Sequence, residues 1–178
     1  INREKLSEDV SEYLSTENID VEEYESVENG LKKYTGKSLL IDVHSTNYTL
    51  STAVDSDKIH VGTSPIPMMK AIKNKVEQDG FRAAMLRDGV AMVKFLAWIK
   101  GAVEAGGQTE ITLADRLEAL RAEQQHFKGI SFDTIVGYEA HGAIVHYEAT
   151  PETDISIEPH GFVLIDSGAQ YEDGTTDI

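Results

Sequence analysis

Two acids near the end of the chain occupy places where acids are unusual. Phe162-Val163-Leu164-Ile165 is a run of apolar β-formers that leads straight into Asp166, and strands and interiors both disfavour aspartate. An ionised carboxylate there needs a cation or a set of hydrogen-bond donors to offset its desolvation. Asp177 follows 11 residues later, beyond Glu172-Asp173-Gly174 and two threonines. If an even-length loop is centred between Tyr171 and Glu172, the two acids face each other on paired strands, with Cβ atoms about 5 Å apart. Carboxylates that close repel unless a cation lies between them, and hard divalent ions take such oxygen donors. A tight turn at Asp173-Gly174 would instead set Asp177 against Gln170 and leave Asp166 distant. Asp166 would then be a hydrogen-bonded strand-end residue and Asp177 a surface acid. Spacing alone leaves both arrangements open.

His146, between Val145 and Tyr147, is the histidine best placed to join such chemistry, although a lone strand histidine is more often structural. His141 lies five residues earlier. That spacing puts the two on opposite faces of a strand or about 140° apart on a helix, so they do not grip one ion together. His44 and His60 read as surface or packing residues. Leu164-Ile165-Asp166-Ser167-Gly168-Ala169 is similar to the catalytic corner of retroviral-type aspartic proteases. That chemistry needs a second acid to share a proton, a flap and a further strand, and nine residues follow Ala169. No glycine-rich dinucleotide loop, phosphate loop or paired-histidine zinc helix is present.

The elements that would carry these residues follow from periodicity. Ser7 is placed to cap a helix over Glu8 to Leu14. Ile19 to Tyr24 alternates apolar and acidic residues like a half-buried strand. A short helix over Val27 to Tyr34 is expected to stop at Gly36, and Ser38 to Val43 and Lys58 to Val61 read as strands, together part of an α/β domain. Thr63-Ser64-Pro65-Ile66-Pro67 reads as an extended linker and domain boundary. A long helix then carries Phe81, Met85, Gly89, Met92, Leu96, Ile99 and Val103 as its apolar stripe, widened by Phe95 and Trp98, and ends at Gly106-Gly107. Thr112, with Asp115 three residues on, is placed to cap a second helix whose buried edge is Leu113, Leu117 and Leu120. Strands are expected over Ser131 to Val136, Ala143 to Tyr147, Phe162 to Ala169 and from Thr175 onward. The second part is thus α+β, helices first and then a mostly antiparallel sheet.

Composition narrows the partners. The 178 residues carry a formal net charge of −15, which disfavours nucleic acid and anionic membrane surfaces. There is no cysteine, so disulfides and thiolate metal sites are excluded. No apolar run approaches the roughly 18 residues of a membrane span. Ile1 and Ile178 both read as cut ends, and the chain is expected to be a fragment.

Four segments bring these features together: Ser64-Pro65-Ile66-Pro67-Met68-Met69-Lys70-Ala71-Ile72-Lys73-Asn74, Arg87-Asp88-Gly89-Val90-Ala91, Ser131-Phe132-Asp133-Thr134-Ile135 with Gly142-Ala143-Ile144-Val145-His146-Tyr147, and Ile165-Asp166-Ser167-Gly168-Ala169-Gln170-Tyr171 through Gly174-Thr175-Thr176-Asp177. In order and spacing they resemble the aminopeptidase P (Xaa-Pro aminopeptidase) family of pita-bread metallopeptidases, over residues 64 to 178. The resemblance implies residues 1–63 as the end of a second, non-catalytic creatinase-amino-terminal-like α/β domain and residues 64–178 as the first half of the pita-bread catalytic domain. It implies Asp166 and Asp177 as metal ligands, the latter bridging two divalent ions, usually manganese, and His146 as the catalytic histidine beside them. One further histidine and two glutamates would come from the fold's second half. It also implies a cytoplasmic enzyme, a homodimer when whole, cleaving the bond before a proline in second position; the piece alone is expected to be inactive. A prolidase- or creatinase-like hydrolase, or a non-catalytic pita-bread binding module, is the alternative. His141 departs from the family pattern, where an asparagine usually precedes Gly-Ala-Ile.

Overall fold

The computed structural model describes residues 1–36 and 38–178. The chain divides into two compact units, Ile1–Ile72 and Lys73–Ile178.

In the first unit, α1 (Glu8–Thr16) and α2 (Val27–Lys32) precede β1 (Leu39–Ile41), α3 (Tyr48–Ser51), β2 (Ile59–Val61) and α4 (Ile66–Ala71). β1 and β2 pair in parallel, Leu40 against His60, as a crossover through α3 requires. Two expectations fail here. Ile19 to Tyr24 forms no strand: Ile19 closes α1 through its N–H to Leu14 O, and residues 24–26 are a 3-10 turn. Alternation gives extended backbone, but a strand also needs a neighbour to share its hydrogen bonds. The proline pair does not hold an extended linker either. Pro65 caps α4 and Pro67 falls in its first turn, where the missing N–H has no helical acceptor to lose.

The second unit begins with α5 (Lys75–Ala105), 31 residues opened by a capping box in which Asn74 and Glu77 exchange side-chain-to-backbone hydrogen bonds. It stops at Gly106, whose φ of +84° suits glycine. α6 (Glu110–Ala122) starts earlier than expected. Thr109, not Thr112, is the cap, and the two hydroxyls accept from each other's backbone N–H at 3.2 and 2.7 Å. Then come β3 (Phe127–Ile130), β4 (Ile135–Tyr138), β5 (Val163–Asp166), β6 (Ala169–Tyr171) and β7 (Gly174–Thr175). All pair antiparallel, β3-β6-β7 in one sheet and β4-β5 in another.

Three expected strands come out differently. Ser131 to Val136 is split, because β3 ends at Ile130 and β4 starts at Ile135. Phe162 to Ala169 breaks at Ser167-Gly168, where the chain stops pairing with β4 and begins pairing with β3. Ala143 to Tyr147 is no strand: residues 139–143 form a 3-10 helix and turns follow.

The core packs α5 and α6 on β4, with Ala91, Phe95, Leu113, Leu117, Leu120, Val136, Tyr138 and Ile157 buried. Leu113, Leu117 and Leu120 are the inner edge of α6 as their spacing predicts. The inner edge of α5 is only partly the expected one, since Phe95 is buried and Met92, Trp98, Ile99 and Val103 pack against this core. Ala84, Asp88, Ala91 and Phe95 face inward, while Met85 and Leu96 are largely exposed. Small alanines and one paired acid make the rest of the seam, so counting large apolar residues put that part a residue out of phase.

Candidate metal and substrate site

Asp166 and Asp177 are placed by the β6–β7 hairpin and the strand change before it. The hairpin turns on Glu172-Asp173, pairing Tyr171 with Gly174 and Gln170 with Thr175. Beyond it Thr176 N–H donates to Ala169 O at 2.9 Å, and Ser167 and Ile178 exchange backbone hydrogen bonds at 3.0 and 2.8 Å. Asp177 therefore lies across from Gly168, and Asp166 is its diagonal neighbour. Neither expected register is found. The acids are not directly opposite and not far apart, but stand in the diagonal relation that leaves Cβ atoms roughly 7 Å apart.

A local exchange of partners shapes this corner. Ala169 N–H donates to the Thr176 hydroxyl at 3.0 Å rather than to its carbonyl, and the Thr176 carbonyl accepts from Ser131 Oγ at 3.0 Å. That turns the carbonyl onto Gly168. A Cβ on Gly168 would lie 2.1 Å from Thr176 O and 2.2 Å from Ser131 Oγ, so only glycine fits between the two acids' strands. Asp166, paired with Ile135 at the start of β4, is half-buried; Asp177 is exposed.

The donor set is two carboxylates on one hairpin corner, whose hard oxygens suit a divalent cation's preference. Among the described residues no group of three or more His, Asp and Glu is arranged to hold an ion. The two acids fit as part of an oxygen-rich ligand set and do not close a coordination shell by themselves.

His146 arrives by another route. The 3-10 helix leaves β4 at Tyr138, the end opposite Asp166, and folds back along the strands. Two glycines permit this, since a Cβ on Gly137 would come within 2.9 Å of Gly142 Cα. Hydrogen bonds from Ile144 N–H to His141 O (3.1 Å) and from Tyr147 N–H to Ile144 O (3.2 Å) close the turn. His146 is exposed and has φ of +56°, a backbone region uncommon for a residue with a side chain.

Two buried carboxylates support this scaffold. Glu110 accepts from Tyr138 N–H, His141 Nδ1 and Tyr147 OH, each near 2.9 Å. Asp88 accepts from Arg121 Nε and Nη2 and from Tyr171 OH. Burial pushes the phenols of Tyr147 and Tyr171 above the ordinary tyrosine range, reinforced by the carboxylates they meet. Glu110 lies ahead of the helix start expected at Thr112, and Asp88 stands in the sequence only within the Arg87-Asp88-Gly89-Val90-Ala91 segment. Only their partners, about 30 or more residues away, distinguish them.

Residues 79–178, more than half of the chain, match the model of metallopeptidase family M24, and residues 1–77 match the creatinase/prolidase N-terminal domain. The chain is 38% identical to aminopeptidase P1 of Arabidopsis thaliana over 79% of its own length and 25% of the relative's. It is 35% identical to a probable Xaa-Pro aminopeptidase P of Sclerotinia sclerotiorum, over 99% of its length and 31% of the relative's. Among solved structures it superposes on X-prolyl aminopeptidase of Caenorhabditis elegans, a cytosolic enzyme with a di-nuclear active site, at a TM-score of 0.89 and 30% identity, covering 99% of this chain and 30% of that one. The chain thus spans between a quarter and a third of the length of these relatives. With helices and antiparallel strands arranged as in that enzyme, and with the family's pattern running from Asp79 to Ile178, the chain belongs to metallopeptidase family M24.

Proposed function

We propose that this chain is part of a metal-dependent Xaa-Pro aminopeptidase that hydrolyses the peptide bond between an N-terminal residue and a following proline. The observation that carries the reading is the hairpin register that sets Asp177 diagonal to Asp166 across Gly168. In this reading Asp166 and Asp177 hold divalent ions, manganese being the proposed metal, and ligands from elsewhere in the whole protein complete the set. Bound there, two divalent ions would supply Lewis acidity and an activated water. The chain's own residues orient the site. Gly168, Ser131 and Thr176 hold the two acids' strands together, and His146 offers an exposed imidazole that can hydrogen-bond the substrate or hold a proton near the scissile carbonyl.

The proposed division assigns residues 1–63 to the end of a non-catalytic domain and residues 64–178, with α4, to the first half of the catalytic one, although α4 packs as the last element of the first compact unit. A cytoplasmic, homodimeric whole protein completes the reading. No described helix is long and apolar enough to cross a membrane.

The test is a substrate panel on the whole protein. Peptides with proline second should be cleaved after residue one, and alanine-second peptides should not. Asp166→Ala and Asp177→Ala should each lose bound metal together with turnover. Cleavage confined to dipeptides would favour a prolidase-like enzyme; absence of hydrolysis with metal bound would favour a binding module.

A further inference from the structure

Glu110 opens α6 with no part of its side chain exposed. Its three partners are spread along one segment: Tyr138 N–H at 2.8 Å from before it, His141 Nδ1 at 2.9 and 3.0 Å from within it, and Tyr147 OH at 2.9 Å from its end. His146 lies between the last two. A carboxylate removed from water is stable only while donors surround it. The segment therefore cannot lift from α6 without leaving the Glu110 charge bare.

The surroundings point the same way. Tyr147 is 7% exposed, and its ring packs on that of His141 with centroids 4.5 Å apart. On the far side, Tyr138 OH bonds His160 Nδ1 at 2.7 Å and His160 O at 3.0 Å. His146 itself keeps φ of +56°, a strained conformation that persists only where neighbours determine it. An ionised carboxylate accepts and cannot donate, so His141 meets it through Nδ1–H.

We propose that Glu110 is a positioning residue: by gripping Tyr138, His141 and Tyr147 at once, its buried carboxylate fixes where the backbone delivers the His146 imidazole. The inference rests on the reading of His146 as the histidine that meets substrate.

Glu110→Gln tests it in the 178-residue chain, with ¹⁵N spectra of the histidines and amide hydrogen exchange as readouts. Glutamine keeps the shape but removes the charge and turns the oxygen facing Tyr147 into a donor, so the Tyr147 bond must reverse or break and the other two lose their charge assistance. With the grip weakened, the His146 ring signals should shift and exchange at Ile144 and Tyr147 should rise by about tenfold. Ala91 and Phe95, in the middle of α5, should stay protected. Unmoved His146 signals and unchanged exchange at Ile144 and Tyr147 in this variant overturn the proposal. If Glu110→Gln also exposes α5, Tyr147→Phe removes one donor and keeps the carboxylate; unchanged exchange at Ile144 and unmoved His146 signals there overturn it equally. The underlying reading has its own control, His146→Ala in the whole protein. Intact hydrolysis in that variant would sink the role of His146 and leave the loop result standing.

Discussion

Asp88 and Arg121 form a two-pronged ion pair in the interior of the second unit: Nε and Nη2 of Arg121 donate to the two Asp88 oxygens at 2.8 and 3.0 Å, with neither side chain exposed. The pair joins the middle of α5 to the end of α6. Tyr171 OH, 2.9 Å from Asp88 Oδ1, ties β6 to it. Helices and hairpin therefore share one buried charge pair, and the hairpin that carries Asp177 is anchored through it.

Removing one partner should be far worse than removing both. Asp88→Ala leaves a buried guanidinium without a counter-charge and should cost about 3–5 kcal/mol. The double variant Asp88→Leu with Arg121→Met should recover much of that loss, because two desolvated charges are replaced by packing atoms. Urea midpoints of the single and double variants decide it; equal losses would mean that the pair is not the anchor.

Alkaline pH should unfold the protein through its buried phenols. Burial, then the bond to Asp88 and the charge on Asp88, raise Tyr171 above the ordinary range, with Arg121 and Arg87 opposing. Burial also raises Tyr138 and Tyr147. A folded-state pKa above the unfolded one means the folded chain holds its proton longer. The contribution is thus full below an unfolded tyrosine's pKa of about 10 and is lost as pH rises past it toward the folded value. Urea unfolding followed upward from neutral pH should show a plateau and then a decline above about pH 10, shallower in Tyr171→Phe.

Gly168 should not tolerate a methyl group. The Cβ of Gly168→Ala would lie 2.1 Å from Thr176 O and 2.2 Å from Ser131 Oγ. Since one clash is with backbone, strands must part, at a cost of about 1–3 kcal/mol. Ser131→Ala in the same chain relieves only the second clash, so the double variant should remain less stable than Ser131→Ala alone. Thermal unfolding of the three variants reads this out.

The 178-residue chain should bind manganese weakly and cleave no prolyl peptide, because two carboxylates leave most of a coordination shell unfilled. Asp166→Asn or Asp177→Asn should weaken what binding there is by about tenfold, through loss of ligand charge. Calorimetric titration measures both. Turnover of an Xaa-Pro peptide by this chain alone would contradict it.

Local pattern settles a good part of this protein. The glycines that end α5 and the Leu113-Leu117-Leu120 edge of α6 are legible, because each depends on neighbours within a few residues. So is the family, since Asp166-Ser167-Gly168-Ala169 and Gly174-Thr175-Thr176-Asp177 keep their order and spacing whatever surrounds them. The alternating Ile19 to Tyr24, by contrast, had the right periodicity and no strand to pair with.

What only the tertiary structure decided turns on long-range partners. The register that sets Asp177 across from Gly168 depends on a Glu172-Asp173 turn and on the Thr176 hydroxyl displacing its own carbonyl toward Ser131. The inward face of α5 depends on Arg121, 33 residues from Asp88. The turn bearing His146 depends on Glu110 and two close glycines rather than on strand propensity. A sequence names the acids and the histidine. Where they stand is decided by burying two charges that could be buried only once their distant partners had arrived.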